Sequence, residues 1–461
     1  MTTVSFNPTL TTHAESNVFY AWGLHDSFRK IDRGEGIYLY DRDGNRYLDA
    51  VGGSHLISIG HGVSEIAEAI ASQARNFCFL SKGQFTSEPM ENLATLVTSM
   101  APEGMNRVCF ASSGSDANEL ALQVVYYYHQ ERGKGSKYKV IGRSHSYHGR
   151  TAATQALTSN MALRENSLPY SIKHPYISAP YCYRCPLKLN YPSCELACAD
   201  ELVRTIEQEG ADTVAAVIIE PILCGAVAAV VPPPDYYRKV REICDFYDIL
   251  LIADEVVTGF GRTGKNFAME HWDTVPDIMT IAKGLSSGYA PIGGIVVHDR
   301  VYETFMGGNR KSVSGVFTYS GHPIACAAAL AVQQYIIKHN LVEQCASRGE
   351  YLKQRLEELK QRQPFIGDVR GKGLLMGVEF VQDRETHKPF DRSLKFHEKM
   401  AKTALKNGLL LKGRKPDATD ILEGDQFLIS PAFIISERQC DELVELWETS
   451  IEEVSRSLGL V

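Results

Sequence analysis

Residues 249–264 read I-L-L-I-A-D-E-V-V-T-G-F-G-R-T-G, and residues 277–287 read D-I-M-T-I-A-K-G-L-S-S. Ile249 to Ala253 is a continuous apolar run of strand length, the pattern of a strand buried on both faces. It delivers Asp254 at its carboxyl end, with Glu255 next. Ile278 to Ala282 delivers Lys283 in the same way, and small residues (Gly284, Ser286, Ser287, Gly288) follow. Ligands of open α/β sheets bind outside the carboxyl ends of the strands. The two runs therefore put a buried carboxylate and a buried lysine beside each other in one crevice.

Desolvation disfavours a charged lysine, so a buried one can be neutral near physiological pH. A neutral amine is a nucleophile able to form a Schiff base with an aldehyde. A buried aspartate needs a cationic partner, and a pyridinium nitrogen is one. Together they suggest pyridoxal phosphate, whose ring needs a carboxylate partner to act as an electron sink. The same two residues also suit a structural Asp–Lys ion pair beneath the sheet.

A length of 461 residues allows two or more domains. Apolar residues make up 44% and charged residues 22%, as in a soluble globular protein. A net charge of −7 argues against a nucleic-acid partner. No run approaches the ~18 apolar residues that span a bilayer. Met1 to Asn17 lacks a basic-then-apolar signal pattern, so a cytoplasmic protein is expected. Eleven cysteines in this length do not suggest a disulfide scaffold, and Cys109, Cys224, Cys244, Cys326 and Cys440 sit in apolar surroundings as core residues.

Taken in order, residues 1–35 read as an irregular arm with one amphipathic piece. Gly36 to Tyr40 and Arg46 to Leu48 flank an Asp/Gly/Asn turn and predict a hairpin. Ser64 to Phe77 has helical spacing and opens on a serine cap. Arg107 to Ala111 predicts a strand entering Ser112-Ser113-Gly114-Ser115 and a helix. Free N–H groups, hydroxyls and the helix dipole would meet there, either as an anion site or as a plain helix cap. Lys139 to Gly142 predicts a strand ending near Tyr147-His148-Gly149, where an aromatic can lie flat against a ring. Val214 to Ile219 predicts a buried strand that places Glu220 at its end. Pro234 starts a helix over Tyr236 to Asp245 that feeds the Ile249 strand. This alternation means a mostly parallel sheet with crossover helices. Ile292 to Val297 adds a strand, and the Ala-rich helix Ala325 to Ile337 bridges to a second domain. Beyond Leu341 a charged helix (Glu350 to Gln361), strands at Leu374 to Phe380 and Phe427 to Ile429, a helix around Met400 and a last helix from Glu437 to Ser457 are expected.

With these blocks in hand, the chain resembles the class III aminotransferases, pyridoxal-phosphate enzymes of fold type I. The resemblance covers nearly the whole length. It is carried by L-L-I-A-D-E-V-V-T-G-F-G-R-T-G and P-D-I-M-T-I-A-K-G-L-S-S-G-Y-A-P-I-G-G, with R-G-E-G-I-Y-L-Y-D-R-D-G-N-R-Y-L-D-A, S-S-G-S-D-A-N-E, S-Y-H-G and F-T-Y-S-G-H-P in the family order. It implies an α/β fold: a large domain (63–325) with a mostly parallel seven-stranded sheet, and a smaller α+β domain from both chain ends (1–62 and 326–461). It implies that Lys283 carries the cofactor and shuttles the proton, and that Asp254 pairs with the pyridine nitrogen. Ser113, Gly114 and Ser115 would hold the phosphate, and Tyr147 and Val256 would cover the two ring faces. His148 would belong to the cofactor site, Glu220 would sit near the ring hydroxyl, and Thr318 would reach the phosphate of a neighbouring subunit in a homodimer or dimer of dimers.

Three features depart from the family pattern. His55 stands where an aromatic, often tryptophan, shapes the substrate pocket, and either a structural or a functional histidine fits there. Lys412, with Arg414 two residues on, stands where many members carry a mobile arginine for the substrate carboxylate; lysine lacks the bidentate fork. Cys182-x2-Cys185 and Cys194-x3-Cys198 have near-ligand spacing for a structural four-thiolate metal site, with free or redox-active thiols as the alternative. No catalytic metal is expected. The implied activity is transfer of an amino group from an amine or ω-amino acid to a keto acid such as pyruvate or 2-oxoglutarate. The alternative is an ammonia-releasing lyase acting on a phosphoethanolamine- or aminophosphonate-like substrate, which the lysine at 412 favours modestly.

Overall fold

The computed structural model of the protein describes residues 10–11, 16–21, 27–159, 172–225, 227–308, 310, 312–313, 317–414 and 424–460. The hairpin expected around the Asp/Gly/Asn turn is present, extended by a strand before it. β1 (Ile31–Glu35), β2 (Tyr38–Asp41) and β3 (Arg46–Asp49) run antiparallel in sequence. Asp41 closes the turn by accepting hydrogen bonds from the Asp43 and Asn45 N–H groups at 3.1 and 2.9 Å. Of the amino-terminal arm, Leu10–Thr11 pairs with Phe28–Arg29, and the residues between lie partly outside the described ones.

Helix α1 (Ser64–Asn76) follows. Its cap is Val63 in extended conformation with no side-chain hydrogen bond, so Ser64 is the first helical residue and not the cap expected for it. The seven-stranded sheet then builds from β4 (Arg107–Ala111), β5 (Lys139–Arg143), β6 (Tyr176–Ile177), β7 (Val214–Ile219), β8 (Leu250–Asp254), β9 (Ile278–Ile281) and β10 (Gly293–Val297). Their order across the sheet is β4-β10-β9-β8-β7-β5-β6. β6, β5, β7, β8 and β9 pair in parallel, while β10 lies antiparallel between β9 and β4. Every residue of β7, β8 and β9 is buried, which is what continuous apolar strands covered on both faces require.

Helix α2 (Gly114–Glu131) leaves the end of β4, and α3 (Tyr236–Phe246), capped at Asp235 one residue past Pro234, feeds β8. α4 (Pro323–Lys338) is the expected bridge. Ala325, Cys326 and Ala329 pack into the core under the seven-stranded sheet. Ala331, Val332 and Ile336, farther along the same helix, pack into a second core with Leu48, Leu352, Phe380, Phe427 and Trp447.

That second core is covered by α5 (Leu341–Arg362), which begins nine residues earlier than the charged pattern suggested, after Asn340 in left-handed conformation. A strand not expected from the sequence, β11 (Ile366–Lys372), pairs with β12 (Leu375–Phe380), and the sheet continues through β15 (Asp425–Ile429) to β14 (Gly413–Arg414). β13 (Leu409–Leu410) instead runs parallel to β3, with Leu409 opposite Leu48. The two ends of the chain therefore share a sheet. α6 (Glu437–Ser457) closes the core, started by a reciprocal cap between Ser436 and Gln439. Among the described residues no helix is long and apolar enough to cross a membrane.

Candidate active site at the carboxyl ends of the central strands

β8 and β9 are parallel neighbours with Asp254 opposite Thr280, so their carboxyl ends open on the same place. A cleft of about 770 Å³ lies there. It is lined by Ser113, Gly114, Ser115, Tyr147, His148, Glu220, Asp254, Val256 and Lys283, and by His55 and Lys412. The sequence placed these residues in one site from blocks scattered over more than three hundred positions, and the fold brings them together.

Lys283 follows β9 at φ 41°. A left-handed backbone costs a residue with a side chain about 1–3 kcal/mol, and such strain persists where the surroundings enforce it. Asp254 ends β8 and is 4% exposed. Its Oδ2 meets His148 Nδ1 at 2.8 Å and accepts from Asn118 Nδ2 at 2.9 Å, and its Oδ1 accepts from the Val256 N–H at 3.1 Å. Among the described residues Asp254 is thus held by His148, Asn118 and the Val256 N–H instead of the structural Asp–Lys ion pair considered from the sequence. Asn118 also donates to the His148 carbonyl at 2.7 Å, locking carboxylate, histidine and helix α2 to one another.

The start of α2 is a capped helix end that opens on the cleft. Ser113 Oγ accepts from the Asp116 N–H at 3.2 Å, as a capping serine does. The Gly114 and Ser115 N–H groups, first in the helix, have no intrahelical acceptor. A Cβ on Gly114 would stand 2.9 Å from Val256 Cγ1, so only glycine lets the valine rest on this loop. Ser115 Oγ accepts from the Arg150 N–H at 3.1 Å and ties the helix start to the strand end that carries Tyr147 and His148.

Glu220, 3% exposed, is committed to the polypeptide. Its Oε1 accepts from the Tyr147 N–H at 2.9 Å, and its Oε2 from the Cys224 and Gly225 N–H groups, each at 3.1 Å. The carboxylate therefore fixes the backbone behind the Tyr147 ring. Beneath it the fully buried Arg143 donates to the Glu220 carbonyl and, at 3.2 Å, to the Tyr237 hydroxyl, and these bonds, with the Tyr236 ring 6.0 Å from the guanidinium, offset the cost of burying it. Glu255, next to Asp254, points the other way. It accepts from Thr258 and from the Met269 N–H at 2.9 Å, and burial pushes its carboxyl up to about 7.

His55 is both structural and cleft-lining. Its Nδ1 lies 2.6 Å from Ser430 Oγ, which itself donates to the Val51 carbonyl at 2.8 Å. The serine's one hydrogen is thereby used, so His55 Nδ1 is the donor of the pair. Lys412 lines the cleft from the exposed side. Arg414 pairs its backbone with Gln426, and its side chain lies outside the described residues. Thr318 is exposed and lines no part of its own chain's cleft.

The cleft residues not anticipated as site residues include Asn118, Arg150, Cys224 and Ser286. Asn118 stands about one helical turn after Gly114, a spacing that puts both on the same face of the helix. Arg150 directly follows the S-Y-H-G block and supplies a further cation. The cysteine loop lies elsewhere. Cys182, Cys185, Cys194 and Cys198 are free thiols around a cavity of about 20 Å³. Burial and the neighbouring thiols push Cys198 up to about 11. Among the described residues no group of three or more His, Cys, Asp or Glu is arranged to hold a metal ion. Of the cysteines expected in the core, Cys224, Cys244, Cys326 and Cys440 are buried and Cys109 is half-buried.

These residues fit pyridoxal phosphate. The cleft ends in a helix start whose first N–H groups have no intrahelical acceptor and could meet a phosphate, and Asp254 offers a buried carboxylate for a ring cation. Two buried polar atoms beside Asp254, Asn118 Oδ1 and His148 Nε2, have no partner among the described residues.

Comparison with known proteins points the same way. The family model for class III aminotransferases matches residues 19–451. Diaminobutyrate–2-oxoglutarate transaminase of Halomonas elongata is 37% identical over 93% of this chain and 91% of its own. Putrescine–pyruvate aminotransferase of Pseudomonas aeruginosa is 36% identical over 93% of this chain and 92% of its own. Among solved structures, an amine transaminase from an uncultivated Pseudomonas species in its PLP-bound form superposes with a TM-score of 0.89 at 33% identity, covering 96% of this chain and 99% of that one.

Proposed function

The chain belongs to the class III aminotransferases, and from that premise we propose which of its residues perform the transfer and on what substrates. It is a pyridoxal-phosphate-dependent enzyme of fold type I that moves an amino group to a keto acid. The donor is an amine or ω-amino acid and the acceptor is pyruvate or 2-oxoglutarate, a reading supported by the relatives named for a diamine or diamino acid with these acceptors. The relatives' names favour this reading over ammonia release.

Pyridoxal phosphate, when bound, supplies an aldehyde and a ring that accepts an electron pair from the substrate carbon. Lys283 Nζ binds it covalently and afterwards moves the proton at the reacting carbon. Asp254 holds a proton on the ring nitrogen, oriented by His148 and Asn118. Ser113, Gly114 and Ser115 bind the phosphate through the N–H groups and hydroxyls of the α2 start. Tyr147, held from behind by Glu220, and Val256 orient the ring and exclude water from its faces. His55, Lys412 and Arg150 face the substrate end, with Arg414 two residues beyond Lys412. The observation that carries the assignment is the meeting of Lys283, Asp254 and the α2 start on one cleft.

The same reading makes the enzyme a cytoplasmic homodimer, or a dimer of dimers, in which Thr318 serves the neighbouring subunit. Exposed Phe79 and Tyr319 beside Thr318 suit burial against a second copy. It divides the chain at residues 62 and 325, the second boundary falling in the helix that packs into both cores. The test is an amine panel assayed with and without pyruvate or 2-oxoglutarate, scoring amino-acid product and free ammonia. Amino acid formed only with the keto acid supports the assignment. Ammonia released without it refutes the assignment.

A further inference from the structure

Two surface segments, residues 77–85 and 317–322, are fastened together without contributing a described residue to their own chain's cleft. Lys82 makes the fastening. Its Nζ donates to the Phe317 carbonyl at 2.7 Å and to the Thr318 carbonyl at 2.8 Å. These two carbonyls belong to the peptide planes on either side of the Thr318 Cα. Peptide planes are rigid, so gripping both fixes the two backbone torsions of Thr318 and with them the direction of its side chain. The Phe317 carbonyl also accepts from the Ser320 N–H at 3.0 Å, which closes the turn from the far side.

The surroundings are built to hold the lysine in place. Phe79 lies edge-on to Tyr319 with centroids 6.2 Å apart and tilted against His322 at 5.7 Å. Lys82 Nζ stands 5.9 Å from the Phe79 ring centroid. No carboxylate among the described residues pairs with this ammonium, so the two carbonyls are its partners. The Thr318 hydroxyl, the group being aimed, makes no hydrogen bond to a described residue.

We infer that Lys82 is a positioning residue that fixes the 317–318 turn so that Thr318 presents its hydroxyl to the cofactor phosphate held by a second copy of this chain. The inference rests on the proposed reading in which Thr318 serves the neighbouring site. Without Lys82 the two carbonyls lose their common cation and the turn samples other torsions. The hydroxyl then spends only part of its time on the phosphate.

The test is a double-mutant cycle on cofactor affinity, with dimers verified by mass photometry. Apoenzyme of the wild type, Thr318→Ala, Lys82→Met and the double variant is titrated with pyridoxal phosphate and, separately, with pyridoxal, which lacks the phosphate. One hydrogen bond to a charged group corresponds to a loss of roughly ten- to a hundredfold for Thr318→Ala. Lys82→Met is expected to lose about tenfold, and the double variant no more than about threefold beyond Thr318→Ala, because the two residues act as a unit. Pyridoxal affinity stays the same throughout. An unchanged Lys82→Met beside a weakened Thr318→Ala overturns the role of Lys82 alone. An unchanged Thr318→Ala overturns the reading of Thr318 and the inference with it. Equal losses for pyridoxal, fully additive losses, or a Lys82→Met chain that no longer dimerises would each show that Lys82 supports the interface and not the phosphate contact.

Discussion

Gly225 is the position where a single methyl group should do the most damage to the site without touching a reacting group. A Cβ built there stands 2.2 Å from Tyr147 Cβ, 2.8 Å from Tyr147 N and 3.0 Å from Tyr147 Cα. The first contact is more than 1 Å inside ordinary van der Waals separation, which is about 3.5–4.0 Å between carbons. Two of the three atoms are backbone, so no side-chain rotation relieves the clash. Tyr147 or the 224–225 turn has to move, and both hang from the Glu220 carboxylate. Overpacking of this kind costs about 1–3 kcal/mol. Loss of one of the hydrogen bonds to the carboxylate adds about 1.5–3 kcal/mol. Gly225→Ala should therefore be destabilised by a few kcal/mol, with a lowered denaturation midpoint. A displacement of about 1 Å at a positioning group costs on the order of a hundredfold in rate. The assays are guanidinium denaturation, kcat/KM with a fixed amine and pyruvate, and titration of the apoenzyme with cofactor. A variant matching the wild type in all three would refute the claim that Glu220 and Gly225 together hold the Tyr147 ring in place.

Asp254→Asn should keep its fold and lose at least about a hundredfold in rate, since an amide cannot hold a proton on the ring nitrogen; a near-normal kcat would assign that task to another residue. Glu255 carries a pH prediction. Its folded carboxyl is raised to about 7 from an ordinary 4.5, so the folded state favours the protonated form. Its contribution is complete below about pH 4.5 and is lost as pH rises through about 7. Glu255→Gln should accordingly gain stability relative to wild type across that window, and parallel melting curves from pH 4.5 to 7 would exclude it. Alanine at Lys412, Arg414 and Arg150 in turn should raise the KM for the keto acid about ten- to a hundredfold at whichever residue meets the carboxylate, with little change for an uncharged amine. Three unaffected variants would leave the carboxylate to His55 or to the partner subunit.

The parts of this site legible in the sequence are those where chemistry and strand pattern coincide. Asp254 and Lys283 each end an apolar run too short for a helix and too continuous for a half-exposed strand, so both the element and its exit were readable. The Ser113 turn was readable as a helix start that could be a cap or an anion site, and the structure shows the cap at the edge of the cleft. Strand direction was not: nothing in Gly293–Val297 says that it runs antiparallel between two neighbours. β11 was missed because I-G-D-V-R-G-K is half-exposed and polar, the pattern of a loop. α5 was begun too late because its first turns, Leu341 to Gly349, mix small and polar residues before the charged repeat starts. Asn118 and Arg150 look like solvated helix and loop residues in isolation. Only tertiary packing turns them to the cleft, since their partners Asp254 and Ser115 lie far away in sequence. Lys82 is the extreme case, because its two carbonyl acceptors are backbone atoms that no side-chain pattern reports.

The most direct test of the central claim is to locate the cofactor on the polypeptide. Holoenzyme is treated with borohydride to make the link permanent, digested, and its peptides sequenced by mass spectrometry. The structure predicts a pyridoxyl group on Lys283 in the peptide that follows β9, and the same treatment of Lys283→Ala should leave every peptide unlabelled while the chain stays folded. A label on any other lysine of the wild-type enzyme, or turnover by purified Lys283→Ala, would contradict it.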